Sequence, residues 1–209
     1  MSTPLQLKVC GMRDADNILQ VAALRPAYMG FIFYEKSPRF VGESFVLPAD
    51  FPTDIKKVGV FVNAPAETML TTAARVGLDA LQLHGHESVE VCRQVKAAGL
   101  EVIKVFSVDD DFDFAGTQSY REVADYFLFD TKGKLYGGNA QTFDWSVLGR
   151  YDQQVPFFLS GGLTPANVAD ALLLEGLNVY ALDVNSGVET APGKKDIGLI
   201  QELKNNSRL

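Results

Sequence analysis

PFFLSGGLTPANVADALLLEGLNVYALDVNSG, residues 156–187, holds two short apolar runs with a helical pattern between them. The first run ends in Gly161-Gly162, Thr164-Pro165 open the predicted helix, and the second run ends at Asn185-Ser186-Gly187. Strand, helix, strand in this order makes one β–α–β unit, which joins parallel strands by a right-handed crossover. The same alternation extends toward the N-terminus. LQLKVCG, YMGFIF, KKVGVFV, ALQLHG, EVIKVFS and YFLFD supply six more strand-like runs, so the chain carries eight. DADNILQVAAL, PAETMLTTAARVG, ESVEVCRQVKAAG and, at the end, IGLIQELKNN supply further helical patterns. Eight β–α units in 209 residues predict a minimal (β/α)₈ barrel, with all of residues 1–209 in one domain. Helical patterns after the second, fifth and sixth strands are weak, so abbreviated units are expected there. A doubly wound open sheet is the alternative, but it usually has fewer strands, and no G-x-G-x-x-G follows the first strand.

Composition narrows the function classes. The hydrophobic fraction of 47% is ample for a buried core, and the net charge of −7 comes without any Lys/Arg-rich segment. The electrostatic footprint of a nucleic-acid or anionic-membrane partner is therefore missing. The N-terminus MSTPLQLKVCG has no basic segment followed by an apolar core, and runs such as VPFFL are too short to span a bilayer, so a cytoplasmic location is expected. Cys10 and Cys92 are read as free thiols, and His84 and His86 suggest no metal cluster.

Strand parity selects the candidate site. If Leu7 and Val9 face the surrounding helices, Lys8 and Cys10 face the barrel interior, with Cys10 at the C-terminal mouth. The same argument turns inward Gln82 and His84 on strand four, Lys104 on strand five, Asp130 on strand six, Ser160 on strand seven and Asp183 on strand eight. The C-terminal rim of such barrels is where catalytic groups from different strands meet. Cys10, followed by Gly11 and with Lys8 beside it to favour a thiolate, is read as a nucleophile or a general base; Cys92, within a helical run, is read as a small buried hydrophobe. Asp130 closes YFLFD, an apolar setting of the kind that favours the protonated carboxyl of a general acid, although D-T-K is also ordinary turn chemistry. Gly161-Gly162 and Ser186-Gly187 fall on the two loops that usually hold phosphate in this fold, where glycine lets the anion approach backbone N–H groups; the bland reading is two tight turns. Arg39, in KSPRFV after strand two, is either a solvated surface cation or a grip on a substrate carboxylate. Residues 135–145, LYGGNAQTFDW, have the composition of a glycine loop leading into a helix capped by Thr142 or Asp144, and a lid and an inert loop fit equally.

Read together, KVCGMRD, GFIFYEKSPRFV, VGVFVN, LQLHG, FDT with GG…FDW, SGGLTPANV and ALDVNSGVE closely resemble the phosphoribosylanthranilate isomerase family of tryptophan biosynthesis. The resemblance runs in order from residue 8 to about residue 195. It implies a (β/α)₈ barrel that isomerises a small phosphoribosyl substrate, N-(5-phosphoribosyl)anthranilate, by an acid/base Amadori rearrangement, with no cofactor and no metal, as a monomer or homodimer. It also implies roles: Cys10 as base, Asp130 as acid, Arg39 on the anthranilate carboxylate, Gly161, Gly162, Ser186 and Gly187 on the phosphate, and His84 near the substrate. One departure concerns the loop that usually reads G-G-T-G, which here is Gly137-Gly138-Asn139-Ala140. Two rivals are carried alongside. A histidine-pathway isomerase would show a second glycine pair after strand three, where this chain has FVNAPAET. A non-catalytic barrel that binds a phosphorylated ligand would have no use for both Cys10 and Asp130.

Overall fold

A computed structural model describes residues 4–131, 144–174 and 176–207, so the loop containing residues 137–140 and Thr142 lies outside the described residues. Eight parallel strands close into a barrel in sequence order: β1 (Gln6–Val9), β2 (Tyr28–Ile32), β3 (Lys56–Phe61), β4 (Ala80–Leu83), β5 (Glu101–Val108), β6 (Tyr126–Thr131), β7 (Phe157–Leu159) and β8 (Val179–Val184). Closure comes from β1 pairing with β8, which sets Lys8 opposite Asp183.

The helices form where caps and apolar spacing agree. In α1 (Ala15–Ala22) the Asp14 side chain accepts from the Asn17 N–H, and Ile18, Val21 and Ala22 are buried against the barrel. α2 (Ala66–Val76) stops at Gly77, whose φ of 72° is the left-handed end that glycine adopts at no steric cost. α3 (Val89–Ala97) is capped by Ser88 and buries Cys92 and Val95. Cys92 is thus the packed hydrophobe its sequence context predicts, with burial pushing its thiol up to about 11. The units expected to be weak are so among the described residues: no helix follows β2, and 3-10 segments follow β5 (Phe114–Tyr120) and β6 (Trp145–Arg150), the latter capped by Asp144.

One expectation needs correction. The helix predicted over 164–176 is only α4 (Val168–Ala171), and i→i+3 turns continue it through Leu173. Leu173 is exposed, so the LLL run cannot place all its apolar side chains on one buried face. A hairpin of β9 (Glu189–Ala191) and β10 (Lys194–Lys195), not foreseen, follows β8 and leads into α5 (Ile197–Ser207).

Two cores hold the barrel. Outward residues such as Val9, Leu81, Phe127, Phe129 and Leu182 pack on Ile18, Met69, Val95 and Leu203 of the helices. Inside, Tyr28, Val58, Ala80, Ile103, Val105, Leu128, Phe158 and Ala181 fill the cross-section. Tyr28, Tyr126 and Tyr180 crowd onto Phe158 near the strand starts, with the Tyr28 and Tyr180 hydroxyls 3.2 Å apart. The barrel is therefore plugged at its N-terminal end and open only at the other.

Lys104 is the second correction. Ile103 and Val105 belong to the inner core, so Lys104 between them points outward, opposite the predicted direction. Its ammonium donates to Glu87 at 2.9 Å and to the carbonyls of Leu83 and Gly85 at 3.1 and 2.7 Å. Lys104 anchors the loop after β4 from outside the barrel.

Candidate active site

The open mouth forms a cleft that Cys10, Arg39, His84 and Asp130 all line. Gly161, Gly162, Ser186 and Gly187 line it as well. All eight candidate residues are therefore gathered at one rim, drawn from strands or loops one, two, four, six, seven and eight.

Cys10 extends the β1 ladder by one residue, its N–H donating to the Val184 carbonyl at 2.8 Å. One step deeper the Lys8 ammonium, without solvent exposure, donates to Asp183 at 2.7 Å. Burial alone would pull the Lys8 ammonium down, but the Asp183 carboxylate and the Cys10 sulfur outweigh it and leave it above its ordinary value. Lys8 favours the Cys10 thiolate, as its place on the same face predicts, but burial works against it. Burial, with the Asp183 carboxylate behind it, pushes the Cys10 thiol above its ordinary value, and the opposing pull of the Lys8 and Lys195 ammoniums is not enough to offset it.

Asp130 stands at the end of β6, separated from β1 by β7 and β8 in the strand order. Its Oδ1 accepts from the Thr131 N–H at 3.0 Å, and its Oδ2 lies 3.4 Å from His84 Nε2. The other ring nitrogen, Nδ1, sits 2.9 Å from Gln82 Nε2. Phe127 and Phe129 point away to the outer core, so of the apolar residues in YFLFD only Leu128 and, deeper, Tyr126 share the barrel interior with Asp130.

The loops after β7 and β8 are pressed together, which explains their glycines first as packing. A Cβ on Gly161, whose φ is 94°, would fall 2.2 Å from Thr131 Oγ1, and one on Gly187 would fall 2.0 Å from the Leu163 carbonyl oxygen. The Asn167 side chain ties the first loop, accepting from the Thr164 N–H at 2.8 Å and donating to the Gly162 carbonyl at 2.9 Å. Among the described residues no hydrogen-bond acceptor takes the N–H groups of Gly161, Gly162, Ser186 and Gly187. Four donors on two loops are left for an anion, with little help from a dipole as short as that of α4.

Arg39 is no surface cation. It is 8% exposed, its Nε lies 2.9 and 3.1 Å from the two oxygens of Glu189, and its Nη2 donates to Glu189 at 2.7 Å. Glu189 also accepts from Lys195 at 2.6 Å and from the Gly193 N–H at 3.1 Å. Burial would raise this carboxyl, but Arg39 and Lys195 hold it below its usual range. Burial in turn pulls the Lys195 ammonium down to about 8 despite Glu189. Sequence reasoning missed Glu189 and Lys195. The available signal was the E that ends ALDVNSGVE, which closes the eighth-strand motif beside Ser186 and Gly187.

A family profile described as N-(5'phosphoribosyl)anthranilate (PRA) isomerase matches residues 7–206. The N-(5'-phosphoribosyl)anthranilate isomerase of Phocaeicola vulgatus is 43% identical over 199 residues, covering 95% of this chain and 96% of that protein. The crystal structure of the phosphoribosyl anthranilate isomerase from Thermotoga maritima superposes with a TM-score of 0.85 at 36% identity, covering 98% of each chain. A crystal structure of such an isomerase in complex with reduced 1-(o-carboxyphenylamino)-1-deoxyribulose 5-phosphate superposes at 0.80 with 34% identity, again over 98% of each chain. A profile matched along almost the whole chain, and relatives this similar over their full lengths, place this chain in the N-(5'-phosphoribosyl)anthranilate isomerase family.

Proposed function

We propose that the chain converts N-(5-phosphoribosyl)anthranilate into 1-(2-carboxyphenylamino)-1-deoxyribulose 5-phosphate, the isomerisation of its family in tryptophan biosynthesis, with Asp130 as acid and Cys10 as base. The observation that carries this reading is the convergence on one mouth of a carboxyl, a thiol, a guanidinium and four free backbone donors. The loops after β7 and β8 take the phosphate, and Arg39 takes the anthranilate carboxylate. Asp130 gives its proton to the ribose ring oxygen as the C1′–O bond breaks, leaving a C1′=N iminium. Cys10, as thiolate, removes the C2′ proton; the C2′–H electrons become the C1′=C2′ bond and the iminium electrons return to nitrogen. The resulting enolamine takes a proton at C1′ from the Cys10 thiol as its 2′-hydroxyl gives up its proton, by way of water, to the Asp130 carboxylate, which yields the ketone and restores both groups.

The histidine-pathway reading is disfavoured by the loop after β3. The Glu87 carboxylate accepts from the N–H groups of Asn63 and Gly85, so the donors that a second phosphate would need are occupied by an anion. Freshly made substrate tests the main reading. Its anthranilate-type fluorescence falls catalytically on adding the chain, whereas a barrel that only binds would quench or shift the signal in proportion to protein added.

The phosphate assignment makes its own prediction. Gly162 has a φ of 68°, so Gly162→Val combines the ~1–2 kcal/mol strain of a left-handed non-glycine residue with a side chain in the phosphate approach. Titration of a product analogue should show at least roughly tenfold weaker binding, while removing the exposed cation Lys194 should leave affinity unchanged. Unchanged affinity in Gly162→Val would move the phosphate elsewhere.

A further inference from the structure

Gln82 is a buried amide at the floor of the mouth whose partners on the two neighbouring strands are both apolar. It pairs in register with Val60 on β3 and Ile103 on β5 and is 1% exposed. Burying an amide in such surroundings is costly unless it is hydrogen-bonded, and half of this one is not: Oε1 is buried without a partner, while Nε2 lies 2.9 Å from His84 Nδ1. The opposite placement of the two amide ends would leave an orphaned NH₂ instead. Buried N–H groups without partners are rarer than under-satisfied carbonyls, so the donor end belongs against the ring.

That contact fixes the imidazole. A donor facing Nδ1 makes Nδ1 the acceptor, so the ring proton resides on Nε2, which is the nitrogen facing Asp130 Oδ2 at 3.4 Å. Among the described residues, the charged and titratable groups nearby include Asp183 on β8, which interacts electrostatically with both His84 and Asp130, Lys8 on β1, which is paired with Asp183, and Cys10, which lines the same mouth. An imidazolium there would hold Asp130 as its ion-pair partner, ionised and unable to donate to the ribose oxygen.

We propose that Gln82 is a positioning residue that denies His84 Nδ1 a proton, so that the ring remains a single-proton donor to Asp130 and Asp130 stays free to act as the acid. The inference rests on the assignment of Asp130 above, but its first test does not depend on turnover. The chain has only two histidines, His84 and the exposed His86, so ¹⁵N spectra of histidine-labelled protein can be assigned with His86→Gln. In the unsubstituted chain, His84 Nε2 should fall in the protonated range and Nδ1 in the unprotonated range; the reverse pattern overturns the proposal whatever the variants do.

Gln82→Glu replaces the donor by an acceptor of nearly the same shape. Both His84 nitrogens should then read as protonated, and kcat should fall by about tenfold or more, with KM changed by less than about twofold. Gln82→Met removes the hydrogen bond and keeps the volume, so it should show mixed tautomers and a smaller loss of kcat. Binding of a product analogue reports that each variant is folded. A doubly protonated ring in Gln82→Glu with unchanged kcat would sink the link to Asp130, and an unchanged ring would sink the role of Gln82. A failure of the Asp130 assignment would instead appear as unchanged turnover in Asp130→Asn.

Discussion

Cys10→Ser is expected to lower kcat by roughly 10²–10⁴-fold, the usual contribution of a general base, while affinity for a product analogue changes little. The alcohol fills the same space at the end of β1 but is a far weaker base at neutral pH. Removal of the C2′ proton should then limit the rate, and a substrate deuterated at C2′ should react more slowly still. Asp130→Asn is expected to lose a similar factor by a different route, because an amide cannot protonate the ribose oxygen. Ring opening becomes limiting and the C2′ isotope effect is suppressed. A full isotope effect in Asp130→Asn with none in Cys10→Ser would exchange the two roles. The state of the thiol adds a pH signature. Since burial raises Cys10 above its ordinary value of 9.0, the reactive thiolate is a minor form at neutral pH. kcat/KM should therefore rise with pH through the neutral range and level off only on the alkaline side, a rise that Cys10→Ser should abolish. A profile already flat at neutral pH would mean that the free site holds a thiolate.

What the sequence made legible follows from which residues report on which contacts. Period-two alternation places Cys10, His84 and Asp130 at the mouth because β1, β4 and β6 each end in a polar residue whose strand neighbours are apolar. It misplaces Lys104 because β5 buries Val102, Ile103 and Val105 on both faces, so apolar pattern there carries no parity; the pairing of Leu83 with Lys104 decides it, and pairing is not local. The balance of charge at Cys10 escapes a local reading for the same reason. Lys8 is two residues away in sequence, but Asp183, which neutralises it, lies across the β1–β8 closure, 175 positions along the chain. Glu189 and Lys195 stayed hidden because they lie after the last barrel strand, in a hairpin that periodicity does not reach. The short α4 likewise escapes a local reading. Its sequence has helical composition, but the Asn167 side chain holds Thr164 and Gly162 in a loop geometry that also positions two of the free N–H donors.

Arg39→Ala is expected to weaken a carboxylate-bearing product analogue by about 2–5 kcal/mol, the cost of truncating one partner of a buried charge pair, and barely to affect the same analogue without its carboxylate. The argument starts from how the guanidinium is held. Nε and Nη2 are both engaged by Glu189, and among the described residues Nη1 has no partner, so the arginine reaches the rim already oriented with donor capacity to spare. Preorganisation of this kind spares the substrate the entropy of fixing a long side chain. The truncation should not unfold the protein, because Glu189 keeps Lys195 and the Gly193 N–H and is not stranded as an unpaired buried charge. Arg39→Lys should recover little, since a single ammonium cannot hold Glu189 with two nitrogens and still present a third to the ligand. Isothermal titration with the two analogues separates the readings. Equal losses for both would show that Arg39 supports the loop after β2, through Glu189, and that the anthranilate carboxylate is held by another group.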